Sequence, residues 1–199
     1  MNPYVISSII PSILNLGLGI YVLCRDFRNR VNQLFALTVL CFVIWGVGEF
    51  MAALSPNPEV ATIWLKLEGL GWCLVAGFYL HFVLVFCGRM DRLPRIPTHL
   101  ALYLPGLVSF YLLCTTDLVL KGISYGYWGG YTAPLGRGYG PVAGYIMGYS
   151  LLGVYLLLRA YNRQAPSDRM RGQFLYTLLG SLPPIVVGAL SEIILPMLG

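Results

Sequence analysis

Charge is what this chain lacks. Asp, Glu, Lys and Arg make up only 11% of its 199 residues, while hydrophobic residues make up 57%. Soluble domains carry about 25% charged residues, so the composition excludes a soluble fold and leaves no stretch for a separate soluble domain. Cysteine is sparse and unpaired in pattern. Cys24, Cys41, Cys73, Cys87 and Cys114 are odd in number, scattered through apolar segments and never spaced as CxxC. They read as small core residues rather than a disulfide framework or a metal site. Histidine occurs twice, at His81 and His99, which is too few for a clustered metal or haem site. No GxSxG, HExxH or P-loop motif occurs, and the glycine-rich RGYGP at Arg137–Pro141 follows no strand. Nothing supports enzyme activity, and no cofactor is expected. The first residues, MNPYV, lack the basic start of a cleavable signal peptide, so the first segment is expected to stay in the membrane.

The net charge of +5 does not indicate a nucleic-acid partner. Ten of the thirteen basic residues fall in three groups: Arg25, Arg28 and Arg30; Arg89, Arg92 and Arg95; Arg159, Arg163, Arg169 and Arg171. Each group follows every second apolar segment, which is the positive-inside pattern of a multi-pass protein. A nucleic-acid binder would instead gather its charge on one wet face.

Six segments are long enough to cross about 30 Å of hydrocarbon. They are expected near 3–24, 33–54, 61–88, 98–116, 142–161 and 174–198, with residues 117–141 as an outer loop. The fold class is therefore all-α, a polytopic membrane helical bundle with its N-terminus outside. It forms one transmembrane domain over residues 1–199 in the plasma or inner membrane. The lipid bilayer is its first partner.

The central feature is the hairpin of segments two and three, broken at SPNPE. Glu49 lies sixteen residues into segment two, a depth of about 24 Å. Trp45 is one turn from it. Trp64, Glu68 and Trp72 follow at i, i+4 and i+8 on segment three, and Lys66 is expected to snorkel to the outer surface. Glu192 comes to a similar depth on segment six. Ionisable groups in a membrane are costly and mark a site or a packing device. The candidate ligand-binding set is thus Trp45, Glu49, Trp64, Glu68, Trp72 and Glu192. Carboxylates flanked by aromatic faces suit a cationic or hydrogen-bonding small ligand. The competing reading is that each acid is protonated, or hydrogen-bonded to a neighbouring helix.

Other features concern packing and motion. Gly140, Gly144 and Gly148 form two overlapping GxxxG repeats. They imply a close neighbour, either another helix of this chain or a second copy in a homodimer. Asn15, Gly17 and Gly19 make a small-residue stripe on segment one. Gly180, Pro184 and Gly188 are spaced by four, and Pro183–Pro184 is expected to break or kink segment six. The Gly- and Tyr-rich outer loop, with Trp128, suits an interfacial flap or short hairpin.

Three stretches resemble the N-terminal seven-helix membrane region of bacterial histidine kinases and related signalling proteins. They are NRVNQLFALTVLCFVIWGVGEFMAAL at Asn29–Leu54, ATIWLKLEGLGWCLVAGFYLHFVLVFCG at Ala61–Gly88, and the basic-loop tail at Gly148–Gly188. The positions that carry the resemblance are Asn32, Trp45, Trp64 and the run Phe78–Phe86. The resemblance implies an input module that senses a signal and passes it to a cytoplasmic kinase, cyclase or similar output. Kinase activity is not implied for this chain, since neither histidine has a phosphoacceptor context. Six crossings rather than seven are expected here, without an output domain. A small transporter or channel subunit is the alternative, because broken helices and intramembrane acids also occur there. A purely structural membrane subunit is the third reading.

Overall fold

The computed structural model describes residues 3–126, 130–165 and 169–190. Trp128 and Glu192 lie outside them. Six α-helices follow one another: α1 Pro3–Arg25, α2 Arg30–Ala53, α3 Pro58–Phe86, α4 Arg95–Thr115, α5 Tyr139–Arg163 and α6 Arg169–Ala189. Five of them, α2 to α6, are long and apolar enough to cross a membrane. The protein is a helical membrane bundle.

Most helices begin about a turn before their apolar runs, and at α2 and α3 side-chain capping accounts for it. Asn29 accepts a hydrogen bond from the Val31 amide at 2.9 Å, and Asn57 accepts one from the Val60 amide at 2.9 Å. These side chains satisfy amides that no helical carbonyl can reach. Pro58 then opens α3 at a position where its missing N–H costs nothing. A hydropathy reading starts only where the apolar residues do and misses these polar first turns.

The outer loop forms the short hairpin the sequence suggests. Strand β1 (Ser124–Tyr125) pairs antiparallel with β2 (Tyr131–Thr132), Ser124 opposite Thr132 and Tyr125 opposite Tyr131. A further bridge joins Leu120 to Leu135.

Helix α3 is the hub. It packs on α2, α4 and α5, while α1 packs on α2 and α6 on α5. Two apolar clusters pin it. Near the arginine-rich end, Phe82 and Val83 meet Leu34, Leu102, Leu157 and Phe174. Near the hairpin end, Trp72 and Cys73 meet Leu113, Val119 and Val142. Lys66 does not simply snorkel. Its ammonium donates to the Cys114 carbonyl at 3.1 Å, at the C-terminal end of α4, where the helix dipole favours a cation.

Small residues set the helix separations, but not the ones that the GxxxG pattern singles out. A Cβ on Gly48 would stand 2.6 Å from the Glu68 Cβ, and one on Gly71 2.8 Å from the Trp45 amide nitrogen. One on Gly77 would stand 2.5 Å from the Leu102 carbonyl oxygen, and one on Gly106 2.5 Å from that of Cys73. By contrast, Gly140, Gly144 and Gly148 meet nothing within 4 Å. Their stripe does not contact another described helix. The spacing identifies a smooth helix face but cannot say whether a neighbour is there.

Of the break or kink expected at Pro183–Pro184, helix α6 does not show the break. It runs through Pro183 and Pro184 without a break to Ala189. Each proline removes one amide donor, but unwinding a turn in hydrocarbon would strand more polar groups than that.

Gly71→Leu or Gly77→Leu should therefore destabilise the bundle by roughly 3 kcal/mol, at the upper end of overpacking costs. Gly144→Leu should change stability little. Thermal unfolding in nanodiscs reads the difference. Equal losses at positions 71 and 144 would show that these close approaches do not set the α2–α3 spacing.

Candidate functional site

Neither α1 nor α2 forms an extended contact with α6 among the described residues. With α3 packed on α5, helices α1 and α2 therefore stand apart from α6. The space between them is a cavity of about 1100 Å³.

Each wall is one helical stripe. On α3 it is Leu65, Glu68, Trp72, Val75, Ala76, Tyr79 and Phe82; on α2 it is Phe35, Thr38, Val39, Phe42 and Trp45. On α5 it is Tyr139, Ala143, Ile146, Met147 and Ser150; on α6 the Gly180, Pro184 and Gly188 row, with Tyr176, Thr177 and Ser181 beside it. Asn15 and Leu18 of α1 form an edge. Leu120 and the strip Thr132–Leu135 of the hairpin form a roof, held by Lys121 N–H donating to the Pro134 carbonyl at 2.7 Å and Gly136 N–H to the Val119 carbonyl at 2.8 Å.

The cavity is closed toward the arginine-rich end by aromatic packing. Phe35 and Phe82 lie 5.8 Å apart by ring centroid, Phe82 and Phe86 5.6 Å, and Phe86 and Phe174 4.9 Å. At the hairpin end, Trp72 and Tyr139 approach to 6.3 Å, and Trp45 stacks on Phe42 at 6.3 Å.

Polar groups are few within this apolar shell. Glu68 is the only acidic or basic side chain in the lining among the described residues. Its Oε2 is buried, while its backbone abuts Gly48. The Thr38 hydroxyl donates to the Leu34 carbonyl at 2.8 Å and the Ser181 hydroxyl to that of Leu178 at 3.0 Å. Bonded to their own helices, these hydroxyls add little polarity to the middle of the cavity. The result is an apolar slot with one carboxylate and the rings of Phe42, Trp45, Trp72 and Tyr139 toward the hairpin end.

The structure brings Trp45, Glu68 and Trp72 together, and places Glu49 and Trp64 outside the lining. The reason is azimuthal drift. At about 100° per residue, each i+4 step overshoots a full turn by roughly 40°, so a chain of such steps winds off one face. The single carboxylate expected from segment six, Glu192, lies outside the described residues. Sequence reasoning missed Tyr79, Tyr176, Thr38 and Ser150. For Tyr79 a signal was present in the i, i+4, i+7, i+11 stripe through Glu68, Trp72, Val75 and Tyr79, but such a stripe looks the same whether it faces a helix or a cavity.

His81 and His99 come together, away from the cavity. Their rings lie 5.2 Å apart by centroid, and His81 Nδ1 is 2.5 Å from the Tyr103 hydroxyl. His99 Nδ1 is 2.7 Å from the Arg95 carbonyl oxygen. A carbonyl only accepts, so that nitrogen carries a proton. No group of three or more His, Cys, Asp or Glu suited to a metal occurs among the described residues.

Comparison with curated proteins and with solved structures gives no match. Residues 7–198, nearly the whole chain, match the family described as the N-terminal 7TM region of histidine kinase. With a helical membrane bundle in the described residues, the chain belongs to this family and is a histidine-kinase sensor input region.

Proposed function

We propose that this input region receives its signal as a small or amphipathic ligand held in the cavity at Trp45, Glu68 and Trp72. Ligand occupancy moves α6 relative to α2 and α3, and that motion is relayed to a cytoplasmic output. The region acts as one transmembrane domain in the plasma or inner membrane, with the hairpin outside and the arginine-rich end inside. The arginine distribution supports this orientation.

The observation that carries the reading is the blind shape of the cavity. It has a carboxylate–aromatic end under the hairpin and a floor of packed phenylalanines. A closed floor favours holding a ligand over passing one. Helix α6 supplies a wall that can move. It is seated at its first turns, where Phe174 packs on Phe86, and makes no extended contact with α2 further along. Ligands shift such an element only by binding its two positions unequally.

The alternative of a small transporter or channel subunit requires a path through the phenylalanine floor. Uptake of tetramethylammonium into sealed vesicles would support it.

The homodimer reading gains from the open face of Gly140, Gly144 and Gly148. A second copy is the neighbour this face accommodates.

Two outcomes follow. Tetramethylammonium should raise the melting temperature of the purified protein, and Glu68→Gln or Trp72→Ala should weaken its affinity by roughly 3- to 30-fold, the range of a desolvated cation–π or charge contact. Glu49→Gln should have a smaller effect. Unchanged affinity in both the Glu68 and Trp72 variants would remove the cavity from the reading. Gly144→Leu should abolish a crosslinked dimer in native membranes without lowering the melting temperature, and an undiminished dimer band would exclude that interface.

A further inference from the structure

A polar clasp joins α3 to α4 near the arginine-rich end, apart from the cavity. It consists of His81 on α3 with His99 and Tyr103 on α4, and none of the three lines the cavity. The two imidazoles lie 5.2 Å apart by ring centroid and stand edge to face at 86°. His81 Nδ1 is 2.5 Å from the Tyr103 hydroxyl, and the Tyr103 ring packs on Phe78 with centroids 5.1 Å apart. His81 is half-buried at the helix interface, while His99 lies exposed in the second turn of α4.

The clasp holds the part of α4 that lies beyond the close backbone approaches. Those approaches are at Leu102, against Gly77, and at Gly106, against the Cys73 carbonyl. The first turns of α4, Arg95 to Ala101, continue from there toward the arginine-rich loop. Along them, Tyr149 of α5 donates to the Ala101 carbonyl, and the histidine pair ties α4 to α3.

Protons change the sense of these contacts. Neutral His99 already donates through Nδ1 to the Arg95 carbonyl, so an arriving proton takes its Nε2. Protonated His81 donates through both nitrogens, and the Tyr103 hydroxyl then has to accept. The charged surroundings are mostly cationic. Arg30 at the start of α2 acts on His81 together with His99, and Arg95 opens α4. Cys41 of α2 bears on Tyr103. From α5 come two hydroxyls, Tyr145 and Tyr149, each bonded to a carbonyl. The carboxylates at this end among the described residues are Asp26, which accepts from the Arg28 amide, and Asp91. The latter belongs with Arg92 to the short turn Met90–Arg92 that packs on α3. Two imidazolium rings at the observed separation, beside Arg30, repel one another.

We propose that this clasp is a proton-operated latch. Proton uptake by the His81–His99 pair separates the first turns of α4 from α3 and gives the input region a response to pH at its arginine-rich end. On the orientation proposed above, the pH concerned is that of the cytoplasm. Histidine is the side chain whose charge changes in the physiological range, and the pair couples that change to the position of a helix end. The latch is independent of the cavity and supplies a second input beside the ligand.

The test is hydrogen–deuterium exchange of the full chain in nanodiscs with EDTA present, comparing peptides over residues 95–104 with peptides over 107–115 of the same helix. The intrinsic pH dependence of amide exchange scales both alike, so their ratio reports opening of the first turns. Between about pH 7.5 and about pH 5.5, the ratio should rise roughly threefold or more. His99→Gln should fold, since His99 is exposed, and should hold the ratio within about 1.5-fold over the same range. His99→Arg places a fixed charge at the same point and should give the acid-side ratio already at about pH 7.5. Tyr103→Phe keeps both imidazoles and should retain the rise.

A clasp that serves packing alone would open equally at both pH values when either histidine is replaced. That result would overturn the proposal. So would a flat profile in the unsubstituted protein, or a rise that survives in the double variant His81→Gln, His99→Gln.

Discussion

The close backbone approach of α2 and α3 is the constraint on which the rest of the bundle depends. In hydrocarbon, one apolar surface gains little by covering another, so helices are held by tight packing and interhelical hydrogen bonds. Gly48 lets α2 press on the backbone at Glu68, and Gly71 lets α3 press on the backbone at Trp45. The two contacts face each other across the crossing. They fix the azimuth of both helices, and hence which of their residues face away from the contact. Trp45 and Glu68 stand at this crossing, against Gly71 and Gly48 of the partner helix, and line the cavity from there together with Trp72.

The same logic extends through α3. Gly77 and Gly106 bring α4 onto it from another side. Tyr145 of α5 donates to the Cys73 carbonyl at 2.7 Å, at the level where α4 already crosses. Helix α3 is thus packed on three sides, by α2, α4 and α5. Helices α1 and α6 lie outside that grip, one behind α2 and the other behind α5. The division into a fixed core and a peripheral wall thus follows from where the small residues stand.

Much of this was legible in the sequence, and the limits were physical. Segment number and alternation follow from apolar length and arginine placement, two signals that the bilayer imposes on every crossing. The hairpin between α4 and α5 was legible in its glycines and tyrosines. Azimuth was not. The pattern Gly140, Gly144, Gly148 is the stronger motif by spacing, yet it faces open space, while the isolated Gly48, Gly71 and Gly77 make the contacts. Hydropathy cannot distinguish these cases, because in a membrane both faces of a helix are apolar. For the same reason, Glu49 and Glu68 looked equivalent, and only Glu68 lines the cavity. The pairing of His81 with His99 and Tyr103 joins two helices, and no spacing within one segment encodes it.

The peripheral position of α6 bears on how a small ligand could be felt at the far end of the bundle. The helix is anchored in aromatic contact at its start, where Phe174 meets Phe86 and Leu178 joins the same cluster. Further along, its Gly180, Pro184 and Gly188 face form a cavity wall with no helix packed onto it. A ligand that fills the slot adds contacts to this wall and to α2 and α3 at once, and so favours one separation between them. The prolines concentrate the compliance between Pro184 and the anchored turns, since each removes a backbone hydrogen bond there. On the proposed reading, a displacement at the hairpin end becomes a tilt about the phenylalanine cluster. On that reading the pivot stands beside the arginine-rich end, the end that faces the cytoplasm by the positive-inside rule.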